Sequence, residues 1–175
     1  MRASTYSKQY GITLVELIIT IAILAIVAMI AIPSFQSIMA NLEAKRTTST
    51  LTTTIRDSKH IAYTYSQRIG ICGSIDNQLC DNTGWSTGLL IFHDVNFNRL
   101  REPTEKLIKL QQLNLKYGSL RWQGTGHTNA ILFQPDTGLP RGSNGSFYYC
   151  SSINLNYRIF LSNMGHSRIE KLISC

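Results

Sequence analysis

From Leu17 to Ile32 the chain carries no charged side chain, and Arg2 and Lys8 stand a short way before that run. A helix rises about 1.5 Å per residue, so Ile12 to Ile32 would span about 30 Å, the thickness of a bilayer's hydrocarbon core. A chain of 175 residues holds one ordinary domain plus an extra segment, and here that segment is N-terminal. Three plain readings compete for it: a cleaved secretory signal with small residues Ala28 and Ala31 near its end, a simple anchor, or a helix start capped by Thr13 and Glu16. Capping accounts for Glu16 locally. It does not account for a carboxylate inside an apolar span, where a charge at mid-bilayer costs about 2.5 to 3.5 kcal/mol. Glu16 therefore calls for a counter-charge, and a cut after Gly11 would create one, because Ile12 would gain a cationic α-amino group that a packed neighbour can present to it.

The order Gly11-Ile12-Thr13-Leu14-Val15-Glu16, behind a short basic leader and ahead of an apolar helix, resembles the class III signal of type IV prepilins and pseudopilins. Pro33 falls where those proteins carry a helix-kinking proline, and Ile12 stands where phenylalanine is usual. The resemblance implies that a membrane prepilin peptidase cuts between Gly11 and Ile12 and methylates the new amine. It also implies that Glu16 aligns the subunit with other pilin subunits in a growing fibre. The chain then divides into a leader at 1–11, a transmembrane and assembly helix at 12–40, and an extracytoplasmic globular domain at 41–175.

Pro33 is expected to bend the helix rather than end it, because apolar spacing resumes with Phe35, Ile38, Met39 and Leu42. Leu51, Ile55, Ser58, Ala62 and Tyr65 repeat at helical steps, a stripe suited to packing on a sheet. The stretch "RTTSTLTTT" is a poor helix former and is expected to fray or bend, with Gly70 and Gly73 marking the stop. Beyond them, "GLLIFHD", "KLIKLQQL", "AILFQP", "SFYYCSS" and "YRIFLSN" are short branched and aromatic runs separated by turn residues, the pattern of an antiparallel sheet. The expected fold class is α+β, a lollipop whose long N-terminal helix, half of it transmembrane, packs on an antiparallel β-sheet domain.

Cys72, Cys80, Cys150 and Cys175 form no CxxC pair, and no histidine sits at zinc-ligand spacing, so two disulfides in an oxidising compartment are expected rather than a metal. Pairing of neighbours is the simplest of three connectivities. The segments "CGSIDNQLC", "GWSTGLLIFHDVNFN", "GSFYYC" and "RIFLSNMGHSRI", with Glu102-Pro103, resemble the GspH/FimT branch of pilin-like proteins. That resemblance supports the two local disulfides and implies a minor subunit that initiates or caps a fibre. It places the chain in the inner membrane with a periplasmic domain, later in a pilus at the cell surface, served by the inner-membrane assembly machinery. The alternative is a GspH-like minor pseudopilin of a type II secretion system.

The loop "DVNFNRLREPTE" sets Asp94, Asn96, Asn98 and Glu105 at calcium-loop spacing, but Arg99 stands where glycine permits the sharp turn, so a polar turn built from Asx residues is the preferred reading. No nucleophile elbow, zinc motif or phosphate loop is present, and His60, His93, His127 and His166 are scattered, so neither enzymatic activity nor a cofactor is expected. Residues 41–175 carry fifteen Lys and Arg against nine Asp and Glu. DNA affinity needs such cations clustered. Arg158, His166, Arg168 and Lys171, with Arg141 in the loop "LPRGSNGS", are the candidates, expected to form one face if Cys150 holds Cys175. FimT members active in natural transformation bind DNA through a GRxR-like tail, and Gly165-His166-Ser167-Arg168 resembles it with His166 in place of the first arginine. Double-stranded DNA, bound without sequence preference, is the partner this implies.

Overall fold

The computed structural model describes residue 11, residues 13–153 and residues 155–175. Ile12, one side of the expected cut, and leader residues 1–10 lie outside them. The chain forms two compact units, Met1–Ile38 and Met39–Cys175.

The first unit is the beginning of α1 (Leu14–Tyr65), which continues through Pro33. The Thr13 hydroxyl accepts the Glu16 N–H at 3.2 Å, so Thr13 caps the helix start. Leu14, Ile18, Leu24, Met29 and Ile32 all expose more than half their surface, and the most apolar 18-residue window has mean hydropathy 2.9. A helix apolar on every side is one that lipid or other helices must cover.

In the second unit α1 buries Ala40, Ala44, Thr47, Thr48, Leu51, Thr54, Ile55, Ser58 and Ala62. Ala44, Leu51, Ile55 and Ala62 among them join the core formed with the strands. The threonine-rich stretch neither frays nor bends, contrary to its propensity. Thr48 Oγ1 donates to the Ala44 carbonyl at 3.0 Å and Thr52 Oγ1 to the Thr48 carbonyl at 3.1 Å. These hydroxyls are satisfied within the helix, so burying them costs little. Tyr65 is exposed, unlike the rest of the expected stripe. The helix ends earlier than Gly70: Ser66 turns left-handed (φ 50°), Gln67 N–H donates to the Ala62 carbonyl and Ser66 N–H to that of Tyr63, the two bonds of a Schellman close.

Among the described residues eight antiparallel strands follow, in two four-stranded sheets rather than one. β1 (Ile69–Ser74), β2 (Gly88–His93), β3 (Leu107–Gln112) and β5 (Ala130–Phe133) form the first in the order β3-β2-β1-β5. β4 (Gly118–Gly124), β6 (Gly145–Ser151), β7 (Asn156–Leu161) and β8 (Ser167–Leu172) form the second in the order β4-β6-β7-β8. β1 holds Gly70 and Gly73 within a fully buried strand.

β1, β2 and β5 are buried on both faces, which is why β2 and β5 read as continuous apolar runs. One face joins the main core with Leu51, Ile55, Trp85, Trp122, Phe147 and Ile159; the other packs Cys72, Leu90, Phe92 and Ala130 against Cys80 and Leu107. Phe147 meets Trp85 edge-on at 5.1 Å and lies 4.6 Å from Trp122. Disulfides join Cys72 to Cys80 and Cys150 to Cys175. The first closes a loop onto β1, and the second ties the chain end beyond β8 to β6.

The β2–β3 loop is closed by its own side chains. Buried Asp94 accepts the N–H groups of Phe97 at 2.6 Å and Arg99 at 3.0 Å, and buried Glu105 accepts those of Val95 at 2.8 Å and Glu102 at 3.1 Å. Asn96 and Asn98 both donate to Glu102 Oε1.

Candidate anion-binding surface

The five candidate cations do not form one face. In β8, strand alternation sends Arg168 and Glu170 to the outer face of the second sheet, while Lys171 faces the other way, paired with Tyr157 of the core side. Arg141 lies in the β5–β6 loop, 3.9 Å from Asp136. His166 sits in the β7–β8 turn. Arg158 and Arg168 come together through Glu170.

They do so in a cross-strand row. Register places Arg121, Tyr148, Arg158 and Glu170 side by side across all four strands. The Arg121 guanidinium lies 4.7 Å from the Tyr148 ring centre, and that of Arg158 lies 5.5 Å from Phe160. Arg158 Nε donates to Ser146 Oγ at 2.9 Å. Glu170 serves both neighbouring cations, Arg168 at 2.6 Å and Arg158 at 3.8 Å. An incoming anion here must compete with a carboxylate already in place.

The β7–β8 turn faces a different surface. It is closed by the Gly165 N–H to the Ser162 carbonyl at 2.9 Å, with Gly165 left-handed (φ 72°), and the His166 N–H bonds Ser162 Oγ at 3.2 Å. Gly165 backs onto α1: a Cβ there would lie 3.2 Å from Lys59 Cδ and 3.3 Å from Pro140 Cδ. Lys59 Nζ donates to the Met164 carbonyl at 3.3 Å. Gly138, also left-handed, approaches so closely that a Cβ would stand 2.5 Å from the Lys59 carbonyl oxygen. The β5–β6 loop and the β7–β8 turn thus meet at Lys59, each through a glycine that permits the approach.

Between helix and turn runs an open groove of about 400 Å³ lined by Thr52, Thr53, Arg56, Lys59, His166 and Ser167, with Ile55 and Gly165 at its base. No acidic side chain is among these residues. Asp57, 3.9 Å from Arg56, lines a neighbouring hollow with His60. Sequence reading missed Arg56 and Lys59. Their signal was present: they flank the stripe of Leu51, Ile55, Ser58 and Ala62, three residues apart on one helix face. What the groove offers is cationic and hydroxyl donors suited to an anion. Among the described residues, no group of three or more His, Cys, Asp or Glu side chains gathers as metal ligands would.

At the other end of the chain, Gly11 is exposed, and Glu16 stands in the first turn of α1. The chain matches the family model for the prokaryotic N-terminal methylation motif over residues 6–32, and that for the type II transport protein GspH over residues 47–165. Its fold is similar to that of the type IV minor pilin FimU of Pseudomonas aeruginosa in two crystal forms. One gives a TM-score of 0.54 at 14% identity, covering 77% of this chain and 96% of that one; the other gives 0.50 at 13%, covering 75% and 98%. The minor pseudopilin EpsH from the type 2 secretion system of Vibrio cholerae gives 0.49 at 11% identity, covering 74% and 97%. No protein of curated function matches the chain.

Proposed function

This chain belongs to the GspH family of pilin-like proteins and carries the N-terminal methylation motif, and from that premise we propose that it is a minor type IV pilin of FimT kind. It enters the inner membrane by a single span with its globular domain in the periplasm, loses residues 1–11 to the prepilin peptidase, and joins a pilus near its tip. The observation that carries this reading is the placing of Glu16 in the first turn of an apolar helix, five residues beyond Gly11. A carboxylate there is tolerable only with a counter-charge, and the methylated amine of a neighbouring subunit supplies it. Mass spectrometry of the mature chain tests this. A methylated Ile12 is expected; a cut beyond Ala31, or a fibre assembled from chains that keep their first eleven residues, overturns it.

A minor pseudopilin role in type II secretion is the second reading, favoured by the GspH match itself. Deleting the gene separates the two: loss of pili with secretion intact supports the pilin, and the reverse supports the pseudopilin.

We further propose that the globular domain binds double-stranded DNA without sequence preference, capturing it for uptake. The basic surplus of residues 41–175 and the cations at the β7–β8 turn support this reading. Recognition would rest on phosphates, because the candidate cations lie on a helix side, in turns and on a sheet face rather than on a helix shaped for the major groove. Retention of a labelled duplex by the full chain in non-ionic detergent tests it, with affinity falling steeply as salt rises.

A further inference from the structure

We infer that the groove between α1 and the β7–β8 turn, walled by Arg56, Lys59 and His166, is where this chain holds a phosphate of the DNA backbone. The inference deepens the DNA-binding reading above and rests on it. Three features favour the groove over the outer sheet face. The first is charge: two permanent cations and an imidazole line it, with no carboxylate among the lining residues, whereas on the sheet Glu170 already sits against both Arg158 and Arg168. A phosphate entering the groove meets Lys59, and Arg56 paired at 3.9 Å with an Asp57 that lies outside the lining; one approaching the sheet must displace Glu170, which holds Arg168 at 2.6 Å.

The second is donor chemistry. Thr52, Thr53 and Ser167 add hydroxyls beside the cations, and a phosphate's non-bridging oxygens accept from both kinds of donor. Thr52 Oγ1 spends its proton on the Thr48 carbonyl, so Thr53 and Ser167 are the hydroxyls left to donate outward. The third is preorganisation. Lys59 is held by the Met164 carbonyl, and its stem runs close beside Gly138 and Gly165, so the ammonium is positioned before any ligand arrives. An adjoining hollow shares Arg56 and Lys59 and continues past His60 to Tyr63 and Thr137, room for a polyanion to extend beyond a single phosphate.

The groove therefore assigns DNA contacts to helix residues outside the tail motif. The test uses the full chain in non-ionic detergent and a fluorescein-labelled duplex, with affinity read by anisotropy between about 50 and 200 mM salt. The double variant Arg56→Gln with Lys59→Met keeps the lysine stem's packing while removing both charges. Loss of two phosphate contacts should lower the slope of log K against log salt by about 1.8, and weaken binding roughly tenfold to sixtyfold at about 0.1 M salt. Arg56→Lys with Lys59→Arg should restore most of it. A control, Lys106→Gln with Lys109→Gln, removes the same net charge on and beside the edge strand β3 and should leave the slope near wild type. A thermal melt and an intact-disulfide mass check accompany each variant. Wild-type binding with an unchanged groove variant, or with a control that loses as much, overturns the groove alone. Absence of wild-type binding overturns the DNA reading together with it.

Discussion

The Tyr149 hydroxyl donates to Glu43 Oε1 at 2.9 Å, joining the middle of α1 to the central strand β6 of the second sheet. The same carboxylate accepts the N–H groups of Lys116 at 2.7 Å and Tyr117 at 3.1 Å, in the connection between β3 and β4. One side chain thus anchors the helix, a loop and a strand. Removing Glu43 strands two backbone donors and a phenol, so Glu43→Ala should destabilise the domain by about 3 kcal/mol or more, and Tyr149→Phe by about 1 to 2 kcal/mol. Chemical denaturation of both variants checks this; equal and negligible effects would remove the anchor from the argument.

Burial, and then the bond and the charge of Glu43, push the Tyr149 phenol well above its ordinary range near 10. A raised value means that the folded state holds this proton more tightly than the unfolded chain does. The stabilisation is fully present below about pH 10 and is lost as pH climbs through the raised value. Alkaline unfolding of the wild type should therefore be steeper above pH 10 than that of Tyr149→Phe, measured by circular dichroism during base titration.

The two disulfides should contribute unequally. Cys72 and Cys80 are eight residues apart and Cys150 and Cys175 are twenty-five apart. Loop-closure entropy then assigns them about 2.5 and 3.5 kcal/mol. Replacing Cys150 and Cys175 with serine should lower the melting temperature more than replacing Cys72 and Cys80. Hydrogen exchange should rise first in β8, which pairs only with β7 and loses its tether.

Glu16→Ala should insert and be processed normally, yet fail to enter fibres, because insertion needs only the apolar span whereas assembly needs the carboxylate. Fractionation of membrane and sheared fibre followed by immunoblotting reads this directly. Normal incorporation would break the link between Glu16 and its proposed partner.

Legibility along the chain followed the physics of each segment. β2, β3, β5, β6 and β7 announced themselves because continuous or alternating apolar runs have few other uses. β1, β4 and β8 did not: Gly70 and Gly73 interrupt the first, β4 has only Leu120 and Trp122 as apolar residues, and "SRIEKL" at β8 is too charged to read as a strand. Gly70 and Gly73 looked like a helix stop, but the stop is Ser66, whose left-handed turn no local residue preference advertises. The threonine stretch looked frayed because propensity counts the isolated helix, whereas here its hydroxyls bond back to the helix and its methyl groups pack in the core. The candidate cations were all visible as residues. Their grouping was not, because Arg168 and Lys171 are three apart on a strand and so point to opposite faces.

Order along the chain was sufficient to determine the apolar span, the lone glutamate at its head and the chain's α+β character, since hydrophobic period and cost of burial are properties of adjacent residues. Tertiary structure alone decided which cations share a surface and which are already neutralised. Lys59 meets the β7–β8 turn across 105 positions of sequence, and charge acts through space, where strand register and helix packing set the distances.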